Sequence, residues 1–316
     1  MRRVGVALLV LVALGACGAP WVAPHAPGQP WREHVFAPPM PVRIVHEGRV
    51  RRPFVYPLRL VDRLTREYAE ERGQPVALAF FTRGRIVTTA DESVPWFPLG
   101  TDSLGRDVCS RILHGARLSL GVALLAVAGA LAIGALVGSL AGLLLGWVDL
   151  LAMRLAELIV VLPVLYVVLA LRAALPLVLP APALFALLAA VLAFAGWPQV
   201  ARGVRAVAAV EATRDYVLAA RAAGASHWRV LTRHLVPASA PFLATQALLL
   251  TPAFVLAEAT MSFVGLGFSP PLASWGSMLQ EAASLRAIAD TPWVLAPAGA
   301  LVLVSLGLNL VMERDT

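Results

Sequence analysis

Leu118–Gly146 reads LSLGVALLAVAGALAIGALVGSLAGLLLG, a run with no charged side chain, in which Ser119 and Ser139 are the polar residues. It exceeds the roughly 20 apolar residues that a bilayer-spanning helix needs. Within it Ala126, Ala130, Gly134, Gly138, Gly142 and Gly146 recur every four residues, so a helix would carry them as one ridge of small side chains. Such ridges let helix backbones approach closely where lipid offers no hydrophobic drive to association. The ridge therefore predicts a tight seam, inside a helical bundle or across a subunit interface, with Gly134, Gly138 and Gly142 at its centre.

Outward from this run, five more stretches qualify as spans, near 4–23, 151–171, 179–197, 240–266 and 292–312. Pro176, Pro180 and Pro182 crowd the turn between the third and fourth. The chain is 59% hydrophobic and 14% charged, against roughly 25% charged residues in soluble domains, which excludes an ordinary water-soluble globule. Arg2 and Arg3 precede the first span, and the 198–238 segment carries Arg202, Arg205, Arg214, Arg221, Arg229 and Arg233 against Glu211 and Asp215. By the positive-inside bias both face the cytoplasm. Six spans then put Glu313–Thr316 inside and 24–117 outside. The expected organisation is an N-terminal transmembrane helix over 1–23, an extracytoplasmic segment over 24–117, and a five-helix core over 118–316 with a cytoplasmic loop at 198–238. A rival reading of the N-terminus is a lipoprotein signal ending at Leu14-Gly15-Ala16-Cys17; re-entry of the chain into the membrane further on argues against it.

All 26 basic residues are Arg. Without Lys there is no P-loop lysine for a nucleotide phosphate, no Schiff-base lysine and no Ser-Lys dyad. If ATP is used, another chain binds it. The pI near 10.6 reflects Arg spread among loops that flank apolar runs, not a basic patch on a soluble fold, and so does not point to nucleic acid. Cys17 and Cys109 form no CxxC or Cys/His cluster, so neither a disulfide framework nor a metal site is expected.

The outer segment predicts a small α/β module. Val42–His46 and Arg49–Val55 flank Glu47-Gly48 as one hairpin, and Val76–Phe81 with Ile86–Thr89 flank Arg83-Gly84 as another. Between them Leu60, Leu64 and Tyr68 repeat at helical spacing. The pairs Asp62/Arg66, Arg63/Glu67 and Arg66/Glu70 lie one turn apart until Gly73, and this pattern predicts a helix.

Three segments carry candidate function. Glu258 lies about midway along the fifth span, six residues after Pro252. An intramembrane carboxyl costs about 2.5–3.5 kcal/mol on insertion scales, so it should face the bundle interior, on a translocation path or in a structural hydrogen bond. Between Glu211 and Pro237, EATRDYVLAARAAG reads as a helix stopped by Gly224. ASHWRVLTRHLVP then starts a second helix, with Ser226 as N-cap and Pro237 as its end. The small face of Ala219, Ala220 and Ala223 would let a partner approach closely. The third segment, Leu99–Arg111 (LGTDSLGRDVCSR), offers a turn and then a helix in which Asp102 and Arg106 could pair at the outer surface.

These motifs resemble those of inner-membrane permease subunits of binding-protein-dependent ABC importers, of the dipeptide/oligopeptide type. That family's cytoplasmic motif runs Glu-Ala-Ala, three residues, Gly, then Pro thirteen positions on; Ala219, Ala220, Gly224 and Pro237 keep the spacing. The family Glu falls on Leu218, its Ile on His234 and its Leu on Val236. Gly100, Thr101, Asp102, Gly105, Arg106 and Asp107 resemble the peptide-permease signature. The segment Glu258–Gly267, followed by Pro270-Pro271 and Ser274-Trp275-Gly276, resembles the exit of the family's fifth span. The resemblance implies an all-α polytopic membrane protein with six transmembrane helices, of the type I ABC importer kind, and no catalysis in this chain. The implied partners are a homologous second permease subunit, two ATP-binding cassette ATPase subunits that bind ATP and Mg, an extracytoplasmic substrate-binding protein and membrane lipid. Leu218, Ala219, Ala220, Arg221, Ala223, Gly224, Ala225 and Pro237 become the ATPase-coupling loop. Peptide is the expected substrate, with a nickel chelate or a sugar as the alternative. A membrane-embedded enzyme would need intramembrane nucleophile–base pairs, yet all six His fall outside the expected spans. A stand-alone channel or carrier would have Glu258 as its main intramembrane charge.

Overall fold

The computed structural model describes residues 1–63, 65–174, 179–268, 270–283 and 289–312. Leu64, Pro176 and Glu313–Thr316, named above, lie outside the described residues. The chain divides into two compact units, one of Met1–Ser119 with Ala259–Thr316 and one of Leu120–Glu258. Two long helices run through both boundaries: α3 (Val108–Leu144) and α10 (Ala240–Phe263).

In the first unit, α1 (Arg2–Cys17) is followed after Gly18 by a short turn of helix, α2 (Ala19–Val22). Pro20 has no N–H for the carbonyl four residues back, which is why the helical ladder breaks here. α1 lies against α12 (Ala296–Met312), close enough that a Cβ on Gly5 would stand 2.6 Å from the Gly307 carbonyl oxygen. Between these helices in sequence comes a module of strands. β1 (Arg43–His46), β2 (Arg49–Val55), β5 (Val76–Thr82) and β6 (Arg85–Thr89) form an antiparallel sheet in the order β1-β2-β5-β6. β3 (Leu58–Asp62) and β4 (Glu67–Glu70) form a separate two-stranded hairpin. The β1–β2 and β5–β6 turns hold Glu47-Gly48 and Arg83-Gly84 at positive φ, as a right-twisted two-residue hairpin requires. Ala37, Met40, Val55, Leu78 and Phe97 form the module's core, with Leu58, Tyr68 and Trp96 packed against it.

The helix expected over 60–70 is instead this second hairpin, so the described residues of the module are β rather than α/β. Leu60 and Tyr68 are cross-strand partners, which brings together on one face two residues whose separation of eight also fits a helix. The burial of β3 and β4 alternates residue by residue. The charges pair across strands and turns, Arg43 with Glu70 at 2.8 Å and Arg59 with Glu71 at 3.6 Å.

In the second unit, α4 (Gly146–Val161) and α5 (Val164–Ala174) replace the single third span expected over 151–171, meeting at an 83° bend. Pro163 is the cause: the residue before a proline is pushed from the helical region, and Leu162 is extended at φ −75°, ψ 119°. α6 (Ala181–Glu211) passes through Pro198 and continues fourteen residues beyond the expected end at 197, so the first third of the expected 198–238 loop is helix. By length and composition four described helices are able to cross a membrane: α3, α6, α10 and the Pro292–Met312 run, which adds a 3₁₀ turn to α12. The bent α4–α5 pair makes five if it counts as one span. α1, at 16 residues, is shorter than these four.

Candidate coupling knob, packing seam and buried charge cluster

α7 (Asp215–Ala222) ends in a Schellman motif. The Ala225 N–H donates to the Ala220 carbonyl at 3.0 Å and the Gly224 N–H to the Arg221 carbonyl at 2.9 Å, with Gly224 at φ +84°. Nothing lies within 4 Å of where a Gly224 Cβ would sit, so backbone conformation alone selects glycine here. Ser226 caps α8 (His227–Val230), accepting from the Arg229 N–H at 3.3 Å. Pro237 does not end this second helix. Leu231–Leu235 wind as a π-helix and pass into α9 (Val236–Ala238), with Pro237 in it. The wide turn moves the Arg233 carbonyl, which a proline ring would otherwise meet in a regular α-helix.

Val217, Val230 and Leu235 are buried with Ala208 of α6 and Leu143 of α3, anchoring the two short helices on the long ones. The opposite surface is exposed: Leu218 at 48%, Trp228 at 64%, and Ala219, Arg221, Ala223, Arg229 and Pro237. A rigid base thus carries an apolar tip with a basic rim.

Gly134, Gly138 and Gly142 face α6 within the same unit. Their Cβ atoms would lie 2.5 Å from Val200 Cβ, 2.4 Å from the Ala201 carbonyl oxygen and 2.7 Å from the Arg205 carbonyl oxygen. The seam is therefore intramolecular, backbone against backbone. Gly146 is not in it; at φ +60° it makes the turn into α4 with open space around it. Arg205 forks onto Asp149 of α4, with both bonds at 2.5 Å. Glu258 is fully buried near the C-terminal end of α10 rather than midway along it.

Thr101–Asp107 forms a tight loop rather than the first turn of a helix. Thr101 and Asp107 bridge, and the Asp102 N–H donates to the Arg106 carbonyl at 3.0 Å. Gly105 is required there twice over, by φ +73° and by the Trp31 carbonyl oxygen 2.1 Å from its would-be Cβ. Gly100, at φ +72°, sits against the Ala37 carbonyl and the Trp293 indole. Asp107 caps α3, accepting from the Cys109 N–H at 3.2 Å, the Ser110 N–H at 3.0 Å and the Ser110 hydroxyl. The Asp102–Arg106 pair exists, at 2.8 Å, but it is buried and not at the surface.

Burial is tolerable because the pair belongs to a four-charge cluster that sums to zero. Arg111 forks onto Glu281 of α11 (Trp275–Glu281) at 2.7 and 3.0 Å and also contacts Asp102, while Arg106 reaches Glu281 at 2.6 Å. The Arg111 side chain is 1% exposed. Sequence reasoning quoted Arg111 without giving it a role and missed Glu281 altogether. The available signal was a lone carboxylate at the end of the mostly apolar stretch from Phe268 to Ala283. α11 is itself fixed by a Ser274/Ser277 capping box and by the Trp275 indole, which donates to the Ile112 carbonyl at 3.1 Å.

The chain is similar in sequence to known proteins. A Brucella suis biovar 1 (strain 1330) protein named as a peptide permease is 38% identical over 217 residues, covering 68% of this chain and 69% of that one. The dipeptide transport system permease protein DppC of Alkalihalophilus pseudofirmus is 36% identical over 217 residues, 68% of each chain. The family profile described as "Binding-protein-dependent transport system inner membrane component" matches residues 134–314. That range holds the knob, the three seam glycines, Glu258 and Glu281, while the β module and the Gly100–Arg111 segment precede it. With more than half its length matched, the chain belongs to the family of inner-membrane components of binding-protein-dependent transport systems.

Proposed function

We propose that this chain is one half of the membrane channel of an ATP-driven peptide importer. It pairs with a homologous permease subunit and works with two ATPase subunits that bind ATP and Mg on the cytoplasmic side. A soluble substrate-binding protein engages it on the other side. N- and C-termini face the cytoplasm, and the β module lies outside the membrane. The peptide assignment follows the names of the relatives.

The observation that carries the coupling role is the knob around Gly224. It exposes Leu218 and Trp228 at its tip while Val217, Val230 and Leu235 seat it on α3 and α6. A partner that pushes on the tip therefore moves two long helices as a body, a rigid-body switch between inward-open and outward-open states. The chain has no Lys for a phosphate-binding loop, so the energy source sits in the ATPase partners. Leu218, in the place of the family's carboxylate, makes this contact apolar.

Gly224→Asp tests the reading. The open space around Gly224 means that the cost is confined to the positive φ, about 1–2 kcal/mol, so the variant is expected to insert and fold. Peptide uptake in proteoliposomes with the partner subunits should fall about tenfold or more while ATP hydrolysis persists. Undiminished ATP-dependent uptake would exclude the knob as the coupling element.

A further inference from the structure

A groove of about 610 Å³ opens in the β module between the segment around Arg32–Val35 and the β3–β4 hairpin. Four arginines line it, Arg32, Arg59, Arg63 and Arg66, against two carboxylates, Glu33 and Glu71. Glu71 is taken up by Arg59 at 3.6 Å. Arg66 is held over the Phe36 ring at 4.7 Å, which leaves its guanidinium edge available for hydrogen bonds. Among the described residues, Arg32, Arg63 and Arg66 have no carboxylate within ion-pair distance. The four arginines of the lining thus outnumber its two carboxylates.

We propose that this groove is the docking site for an acidic segment of a soluble protein partner. Three features favour a polypeptide over a phosphate or a lipid headgroup. The arginines come from separate places, the 32–35 segment, β3 and the β3–β4 turn, which suits several carboxylates along a chain rather than one compact anion. The half-buried Leu58, Leu60 and Tyr68 line the same groove and offer apolar contact to side-chain stems. The β3–β4 hairpin is two-stranded, so among the described residues each strand has one edge without a strand partner, where an added segment can pair. Arg forks fit carboxylates bidentately, and such pairs set orientation and encounter rate. The proposal rests on the functional reading above for its source of the segment, the surface of the substrate-binding protein that a permease of this family works with.

The test uses the full chain in phosphatidylcholine nanodiscs and a fluorescein-labelled hexaglutamate peptide, read by anisotropy. No ATPase is present and no uptake is measured, so the result is independent of whether the Gly224 knob couples transport. Binding should weaken at least about tenfold in Arg32→Gln/Arg63→Gln/Arg66→Gln and should fall with added salt. It should change little in Arg49→Gln/Arg51→Gln/Arg52→Gln, which removes equal charge from the exposed start of β2 outside the groove. If the groove variant loses its thermal midpoint, the single variants Arg32→Gln and Arg63→Gln carry the comparison. Equal loss in both triple variants overturns the proposal. So does equal affinity for hexaglutamine, or displacement by inorganic phosphate or phosphatidylglycerol vesicles as effective as by unlabelled hexaglutamate.

Discussion

Glu281→Gln removes one charge from a cluster of two guanidinium groups and two carboxylates and leaves Arg106 and Arg111 sharing Asp102 alone. Glu281 accepts at 2.6 Å from Arg106 and at 2.7 and 3.0 Å from Arg111, whose side chains are 4% and 1% exposed. Breaking a buried pair by removing one partner costs about 3–5 kcal/mol, because the remaining charge is neither solvated nor matched. The Glu281 side chain keeps 21% of its exposure, so water reaches one side of the cluster and the lower end, near 3 kcal/mol, is expected. At about 2–4 °C per kcal/mol for domains of 150–250 residues, the thermal midpoint in nanodiscs should drop by roughly 10 °C. The double variant Arg111→Met/Glu281→Gln restores neutrality, since Asp102 and Arg106 remain as a pair at 2.8 Å. It should therefore be more stable than the sum of the two single variants by about 1.5–3 kcal/mol. A loss below about 1 kcal/mol for Glu281→Gln, or additivity within about 0.5 kcal/mol, would refute the account of the cluster as one balanced unit.

Two further substitutions probe the packing. Gly138→Leu drives a side chain toward the Ala201 carbonyl, 2.4 Å from the would-be Cβ, and should destabilise by about 1–3 kcal/mol or more, seen as a lower thermal midpoint and separation of α3 from α6. Asp107→Ala strips the α3 N-terminus of its cap and should cost about 1–2 kcal/mol by the same measurement.

Much of the helical part was legible because lipid imposes a simple rule on sequence: a span must be long and apolar, and Leu118–Gly146 obeys it. The Schellman turn at Gly224 was equally legible, since a positive φ selects glycine locally. The small-residue ridge announced close packing, but its partner α6 emerged only from the fold, because spacing on one helix says nothing about what lies opposite. The β3–β4 hairpin was misread for a related reason. Leu60 and Tyr68, eight apart, satisfy a helix period and a cross-strand pairing alike, and the core of Val55, Leu78 and Phe97, against which Leu58 and Tyr68 pack, selects the second. Prolines acted locally in every case, yet with different results. Pro163 bends the chain by 83°, Pro198 lies inside an unbroken α6, and Pro237 is absorbed by a π turn. Neighbouring packing decides whether the freed carbonyl is tolerated.

By itself, then, the sequence determined the membrane character, the absence of a lysine-based nucleotide site, and the placing of a glycine-hinged basic knob, all properties of local composition and backbone conformation. The tertiary structure alone decided that Asp102 and Arg106 are buried rather than exposed, and that Glu281, 170 residues beyond Arg111, completes their charge balance. The cost of burying a charge depends on groups that meet it in space, and the spacing of residues along a chain does not specify those.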